Sequence, residues 1–319
     1  MNPAGSGLPA SGGSQTPTAQ SPKVVLGMPA YDRPDALART IESILSQTFR
    51  DFALVVADDA PSARTQGMVE AYAGGVVPVT YEANGRRLGM IGNWRRVFQR
   101  ARELYPSSEY FAWVSDHDLW HARWLETLVA VLDEHPGVVL AYPRHLQVTS
   151  GGVRWSAKEK TFETFGLSDP GRRLARSARD MLSGDMIYGL MRARALEAAG
   201  VFRRVITPDR QVLLALALYG QFRQVPDVLW YREFLHRFDI ARQRKAFFPG
   251  GVPLYAYAPP HVQHFATLLW DFALRGRGRP LFGRLAGLGY AARQLWWSCV
   301  RDVVRPKMEW RKLRPISET

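Results

Sequence analysis

The sequence predicts an α/β fold: a mostly parallel sheet flanked by helices, with a helical C-terminal appendage. Short apolar runs alternate with helix-period segments from Lys23 to about Ile240, the pattern of repeated βαβ units. Three of the apolar runs end in polar residues rich in Asp, at Pro29–Asp32, Asp58-Asp59 and Asp116-His117-Asp118. Beyond about Ile240 the alternation stops and the chain reads as helical and basic. The expected organisation is a Gly-, Ser- and Pro-rich leader over 1–22, an α/β domain over 23–240 and a basic helical region over 241–319.

The elements follow in order. KVVLGM, Lys23 to Met28, is a short apolar run typical of a buried strand. Asp32 is placed to cap the next helix, with Pro34 and Asp35 in its first turn. Leu37, Ile41, Ile44 and Leu45 give that helix one apolar face, and Phe52 to Ala57 form the second strand. Asn93 to Leu104 reads as a helix, Tyr110 to Val114 as a strand, Trp124 to Glu134 as a helix and Val138 to Tyr142 as a strand. From Pro143 to about Asp180 the pattern loosens, with a turn expected at Gly151-Gly152. It returns with Ser183 to Arg192, the helix Arg210 to Tyr219 and the strand Val225 to Tyr231.

Composition narrows the classes. With 319 residues, 46% hydrophobic and 22% charged, the chain is too apolar to be mostly disordered and long enough for a sizeable core. One cysteine, Cys299, excludes an internal disulfide. Every long apolar stretch meets a charge well before the roughly 20 residues a membrane span needs, and the first residues lack a signal peptide's basic start and apolar run. The expected location is therefore cytoplasmic. A formal charge of +13 predicts attraction to polyanions such as nucleic acid, anionic lipid or phosphorylated small molecules. Much of that excess lies after Arg275.

Ligands of open α/β sheets bind at the carboxyl ends of strands. Asp116 and Asp118, at i and i+2 on an extended segment, point the same way and suit a shared divalent cation, with water and substrate phosphates completing its shell. The alternative is that these acids cap a helix or form a surface turn.

Order and context add to this. VVLGMPAYDRPDALARTIESILSQTFRDFALVVADDAP resembles the opening of family 2 glycosyltransferases, which have the GT-A fold. RLGMIGNWRRVFQRA, YFAWVSDHDLWHARWLETLV, YGLMRARALEAAGVF and DRQVLLALALYGQFRQVPDVLWYRE match further segments in the family's order, covering Lys23 to Glu233. The resemblance implies an inverting, metal-dependent transfer of a sugar from a nucleotide-diphosphate sugar to an acceptor hydroxyl, in cell-surface glycan or glycolipid synthesis. It implies Mn²⁺ or Mg²⁺ on Asp118, the direct ligand, and on Asp116. It places Pro29 and Tyr31 at the nucleobase and Asp58 and Asp59 at the base or ribose, the alternatives being packing for Tyr31 and a cap or turn for the acids. His117, where the family often has Asp, is a departure. Asp209 stands where the family carries its general base, Pro208 replacing a preceding acid; the alternative is a helix N-cap, with Asp185 as the reserve base. His236 follows Tyr231-Arg232 at a longer spacing than usual and reads more readily as a surface histidine, as Arg86 and Arg87 read as solvated loop residues. Trp113, Trp120 and Trp124 read as core or wall residues.

Three rivals are weaker. A nucleotidyltransferase would want a Gly-rich loop after the first strand, and Gly27 to Tyr31 is not one. A processive synthase would want membrane spans and a Q-x-x-R-W element. A non-catalytic polyanion- or nucleic-acid-binding protein would rest on charge alone, without a recognised zinc, RRM or KH pattern, so no nucleic acid partner is expected. The partners implied are a nucleotide sugar, a glycan or lipid-linked acceptor and, through residues 281–304, an anionic membrane surface. In that segment Leu281, Leu285, Leu288, Leu295, Trp296 and Val303 fall on one side of a helix bordered by arginines. Either this stripe faces lipid or it packs on the catalytic domain.

Overall fold

The computed structural model describes residues 21–149, 152–154, 161–233 and 240–304. Val24–Ala30 (β1) and Phe52–Asp58 (β2) are buried at every position, as strands covered on both faces must be. They pair in parallel with each other, with Val79–Ala83 (β3) and with Tyr110–Trp113 (β4), in the order β3-β2-β1-β4. Leu190–Arg192 (β8) then runs antiparallel to β4, and the sheet continues through Val138–Thr149 (β6), Gln221–Glu233 (β9) and Leu119–Trp120 (β5). Gly152–Arg154 (β7) folds back on β6. The α/β class holds, and the parallel character belongs to the first half. Because β8 enters between β4 and β6 in the opposite direction, the second half is mixed.

A core lies on each face. Pro34–Leu45 (α1), Ala63–Glu70 (α2) and Trp124–Glu134 (α4) cover one. Gly89–Leu104 (α3), Pro170–Asp180 (α5), Ala193–Ala199 (α6) and Pro208–Tyr219 (α7) cover the other. The C-terminal helices Ile240–Phe247 (α8), Pro260–Leu268 (α9), Arg279–Phe282 (α10) and Arg284–Cys299 (α11) extend that second layer. Phe247, Leu268, Phe272 and Ala291 belong to the same apolar cluster as Phe202 and Val212. The expected turn at Gly151-Gly152 and the leader lie outside the described residues, except that Gly152 opens β7.

Two local expectations need correction. Asp32 does not cap α1: it sits at φ 50, and the helix begins on Pro34 after Arg33, which makes no side-chain cap bond. A left-handed turn there lifts the chain off the end of β1. The stretch after Pro143 is not loose throughout. β6 runs to Thr149, and α5 starts at a Pro whose Asp169 neighbour accepts from the Arg172 N–H at 2.6 Å. Its pattern is masked because Arg173 is buried, donating to Ala217 and Leu218 carbonyls at 2.7 and 2.9 Å at the end of α7. Trp113, Trp120 and Trp124 are core residues, as expected.

The C-terminal helix packs the opposite way from an ordinary amphipathic helix. Its inward face is Gly287, Ala291, Gln294 and Ser298, small or polar residues. A Cβ at Gly287 would collide with the backbone carbonyl of Phe272 in the turn Leu269–Leu274, so only glycine permits the close approach. Arg301, 6% exposed, donates to the Ala178 carbonyl at 2.8 Å and caps the end of α5. The apolar stripe is left outside: Leu281, Leu285, Leu288 and Trp296 are 67%, 86%, 46% and 66% exposed. The reading in which the stripe packs on the catalytic domain is therefore not the observed arrangement.

Gly287→Leu should push α11 off the helices beneath it. We expect a loss of about 1–3 kcal/mol in urea unfolding, as for overpacked interiors, whereas Leu285→Ser on the outward face should leave the midpoint unchanged.

Candidate functional site

The carboxyl ends of β1, β2 and β4 meet at the strand-order reversal, the expected ligand crevice. Buried Asn93, on α3, holds the ends of β1 and β2 together: its amide donates to the Ala30 and Ala57 carbonyls at 3.1 and 3.0 Å. Asn84 bridges Asn93 to Asp59 at 2.9 and 3.0 Å. Asp59 in turn accepts from the Leu88 and Gly89 N–H groups at 2.6 and 2.8 Å, capping the start of α3 with a negative charge where the helix dipole favours it. Asp58 accepts from the Ala60 N–H and the Tyr81 hydroxyl, and this bond together with burial raises the Tyr81 pKa. Both acids thus organise the loop after β2. Pro29 lies in buried β1 beside them, and Tyr31 is 43% exposed, with the Arg87 guanidinium 4.9 Å from its ring centre.

Asp116, His117 and Asp118 follow β4. Asp116 accepts from the Tyr31 N–H at 3.0 Å, joining the first and third polar strand ends. The His117 ring spans the two acids, Nδ1 at 2.7 Å from Asp116 and Nε2 at 3.9 Å from Asp118. Asp118, 2% exposed, accepts from the Trp230 indole N–H at 2.9 Å and the Glu233 N–H at 2.8 Å, both on β9. Among the described residues no group of three or more His, Cys, Asp or Glu forms a metal cage. A pair of buried carboxylates facing a crevice suits a hard divalent cation that takes one or two protein oxygens and fills its shell with water and phosphate, so the donor set fits.

The Ser43–Phe49 segment braces this loop. Thr40 donates to the Asp118 carbonyl at 2.8 Å, and buried Gln47 donates to the His121 carbonyl at 2.8 Å while accepting from the Leu125 N–H at 2.9 Å.

Asp209 occupies the first turn of α7, two residues after Thr207, which holds the cap position at φ 50; Asp209 is therefore not the N-cap. Its carboxylate lies against Gly184, where any Cβ would overlap it. Burial raises its pKa, and the Arg210 backbone N–H and guanidinium offset only part of that. It faces a cavity of about 630 Å³ shared with Asp185, Tyr188, Arg232 and Trp94. Asp185 is paired with Arg232 at 2.6 Å. The turn before Asp209 is held from the C-terminal region: His264 on α9 reaches the Ile206 carbonyl at 2.9 Å and the Thr207 hydroxyl at 3.3 Å.

The crevice thus gathers Pro29, Tyr31, Asp58, Asp59, Asp116 and Asp118, while Asp209 and Asp185 line the adjoining cavity. His236 lies outside the described residues. Sequence reasoning missed Trp230, Gly184 and His264, whose roles depend on partners 112, 25 and 57 residues away. The nearest signal was the Tyr231-Arg232 pair.

The profile described as Glycosyl transferase family 2 matches residues 26–192, and the chain belongs to that family. The putative glycosyltransferase EpsE of Bacillus subtilis (strain 168) is 30% identical over 147 residues, 46% of each chain. The chain thus spans under half the length of that relative, and 43% of the length of S. aureus TarS, to which it is 17% identical at a TM-score of 0.55 over 82% of this chain. S. aureus TarS 1-349 in complex with UDP-GlcNAc matches with TM-score 0.57 at 16% identity, over 91% of this chain and 79% of that one. The mannosyltransferase PcManGT from Pyrobaculum calidifontis, in complex with GDP-Man and Mn2+, matches with TM-score 0.53 at 17% identity, over 93% and 82%. These structures share the GT-A-like fold.

His264 supplies a pH test of the brace behind Asp209. Burial lowers its pKa to about 4, so the folded chain resists a proton that the unfolded chain accepts near 6.5. Its contribution to stability is complete above about 6.5 and is lost as pH falls toward about 4. Urea midpoints should fall across that window, and His264→Phe should flatten the slope.

Proposed function

We propose that the protein is an inverting, metal-dependent glycosyltransferase that moves a sugar from a nucleotide-diphosphate sugar to an acceptor hydroxyl in cell-surface glycan or glycolipid synthesis. The observation that carries this reading is the juxtaposition of a carboxylate pair at the sheet's crevice with a separate buried carboxylate, Asp209, in the adjoining cavity. The UDP-GlcNAc and GDP-Man complexes of the two structural relatives support the donor class.

Tyr31 offers a ring edge to the nucleobase, and Asp58 and Asp59 hold the loop beneath the nucleoside or contact its base and ribose. Asp118 and Asp116 would hold Mn²⁺ or Mg²⁺, which supplies positive charge to the diphosphate leaving group. Asp209 takes the proton from the acceptor hydroxyl as that oxygen attacks the anomeric carbon. The bond from that carbon to the diphosphate oxygen breaks, its electron pair leaving with the nucleotide. The pKa raised by burial gives Asp209 a stronger pull on the proton than an exposed carboxylate has. Arg232 engages Asp185 in an ion pair at 2.6 Å, so the two carboxylates differ in role.

Asp118→Asn should abolish transfer and metal-dependent nucleotide binding. Asp209→Asn should bind nucleotide yet lose transfer by about 10²-fold or more, and Gly184→Ala should do likewise by displacing that carboxylate. Because Asp209 must be ionised and its pKa is raised, the acid limb of kcat should lie above the ordinary carboxylate range. Activity of Asp118→Asn in excess chelator, or full activity of Asp209→Asn, would overturn the assignment.

We further propose that the outward face of α11 rests on an anionic membrane surface on the cytoplasmic side, where a lipid-linked acceptor would lie. Exposed Leu281, Leu285, Leu288 and Trp296 support this, together with Arg275, Arg277, Arg279, Arg284 and Arg293 and the lack of any acid between Asp271 and Asp302. Each basic residue close to such a surface contributes about 1 kcal/mol. Among the described residues no helix is long and apolar enough to cross a membrane. The protein should sediment with phosphatidylglycerol-rich vesicles and not with neutral ones. Leu285→Glu with Trp296→Glu should stay in the supernatant while keeping its fold. Equal sedimentation of both proteins would remove the membrane from the reading.

A further inference from the structure

Between α3 and α6 lies a cavity of about 180 Å³ that the mechanism above does not use. Arg95 and Gln99 reach it from α3, Glu197 from α6, Arg203 from the turn after α6, and Arg277 from the segment before α10. It shares no lining residue with the Asp209 cavity; Phe202, between Val201 and Arg203, lines that cavity instead.

The charges around it are unequally matched. Arg203 donates to buried Asp271 through Nη2 at 2.7 Å, and its Nη1 makes no hydrogen bond among the described residues. Glu197 is the one acid among the lining residues, against three arginines. It already stands between Arg277 at 3.9 Å and Arg102 at 4.0 Å. Arg95 makes no hydrogen bond or ion pair among the described residues. It is half-buried, and burial together with the like charges of Arg203 and Arg204 lowers its pKa. A guanidinium does not give up its proton in a protein, so this unfavourable charge persists until an anion offsets it.

The backbone beside the cavity is strained as well. Gly200 and Val201 follow each other at φ 93 and 55, and a β-branched residue is disfavoured in the left-handed region where glycine is not. The turn brings Arg203 back over Gly200, where a Cβ would collide with its guanidinium. Strain of this kind clusters at segments that hold a ligand.

The arginines come from three separate elements and so approach from different directions. A planar carboxylate serves one guanidinium fork, whereas a phosphate group has oxygens enough for several. The space equals roughly six waters, enough for a phosphate group and a small organic remainder.

We propose that this cavity binds a phosphate group, carried by a soluble phosphomonoester or by a phospholipid headgroup, through Arg95, Arg203 and Arg277. The site is separate from the crevice and stands whether or not the transferase reading does.

The test is calorimetric titration of the full chain at constant ionic strength, with a chelator present to keep cations off the acid pair. Inorganic phosphate and glycerol 3-phosphate are the soluble probes, and monomeric dihexanoyl phosphatidic acid is the lipid one. Arg95→Gln should weaken binding by about tenfold, the effect of losing one charged hydrogen-bond donor. Arg123→Gln, on α4 at the other face of the sheet, removes the same net charge and should bind as the wild type does. Arg95→Gln removes a repelled charge with no partner, so without phosphate it should unfold in urea no earlier than the wild type. Binding of the soluble probes that Arg95→Gln weakens assigns a phosphomonoester. Binding of the short-chain lipid alone, again weakened by Arg95→Gln, assigns a headgroup. No binding of any probe, or binding that Arg95→Gln weakens no more than Arg123→Gln does, would overturn the proposal.

Discussion

The structure depends on how one buried carboxylate is held. Asp118 is 2% exposed, and its buried carboxyl oxygens find partners in the Trp230 indole and the Glu233 N–H, which reach it from β9. Its backbone is pinned as well: its N–H donates to the Ser115 hydroxyl at 3.0 Å and its carbonyl accepts from Thr40. One residue therefore links α1, the end of β4 and β9, a strand from the other half of the sheet. Moving any of these would leave buried polar atoms without partners, so the end of β4 and the strand that reaches it are set together.

A second buried polar junction does the same at the ends of β1 and β2. Asn93, Asn84 and Asp59 tie β1, β2 and α3 through side-chain bonds of 2.6–3.1 Å. Each group in this set finds a partner, so the network rigidifies the loop instead of weakening the core. Asp58 and Asp59 act as scaffold for this loop. The same logic extends to Asp209, whose turn is held by His264 from a helix beyond the α/β region. The C-terminal helices are thus part of the support of the Asp209 turn.

The last helix shows how packing can invert an apolar pattern. Burial of Leu285 or Trp296 would gain more from the hydrophobic effect than burial of Gly287 or Ser298. The small face is inside because it lets α11 lie on the Phe272 carbonyl, and because Arg301 reaches the open end of α5. Apolar surface is left outward as a consequence, and it is fringed by arginines.

The sequence by itself determined the α/β alternation, the strand ends that carry Asp58-Asp59 and Asp116–Asp118, and the family. These are local: apolar runs with period-fixed burial, and acids one or two residues past a strand. It also placed Asp209 at a helix start, although the cap is Thr207. What tertiary structure alone decided is which of these groups meet. Arg173 hid α5 by being charged and buried, β8 reversed the direction of the sheet's second half, and His117 was drawn between two acids. Gly184 makes room for a carboxylate 25 residues away, and Trp230 anchors one 112 residues away. The orientation of α11 was open in the sequence because an apolar stripe does not say which side a neighbour will cover. Contacts between distant segments leave no periodicity in the chain, since they are selected by the whole packed sheet.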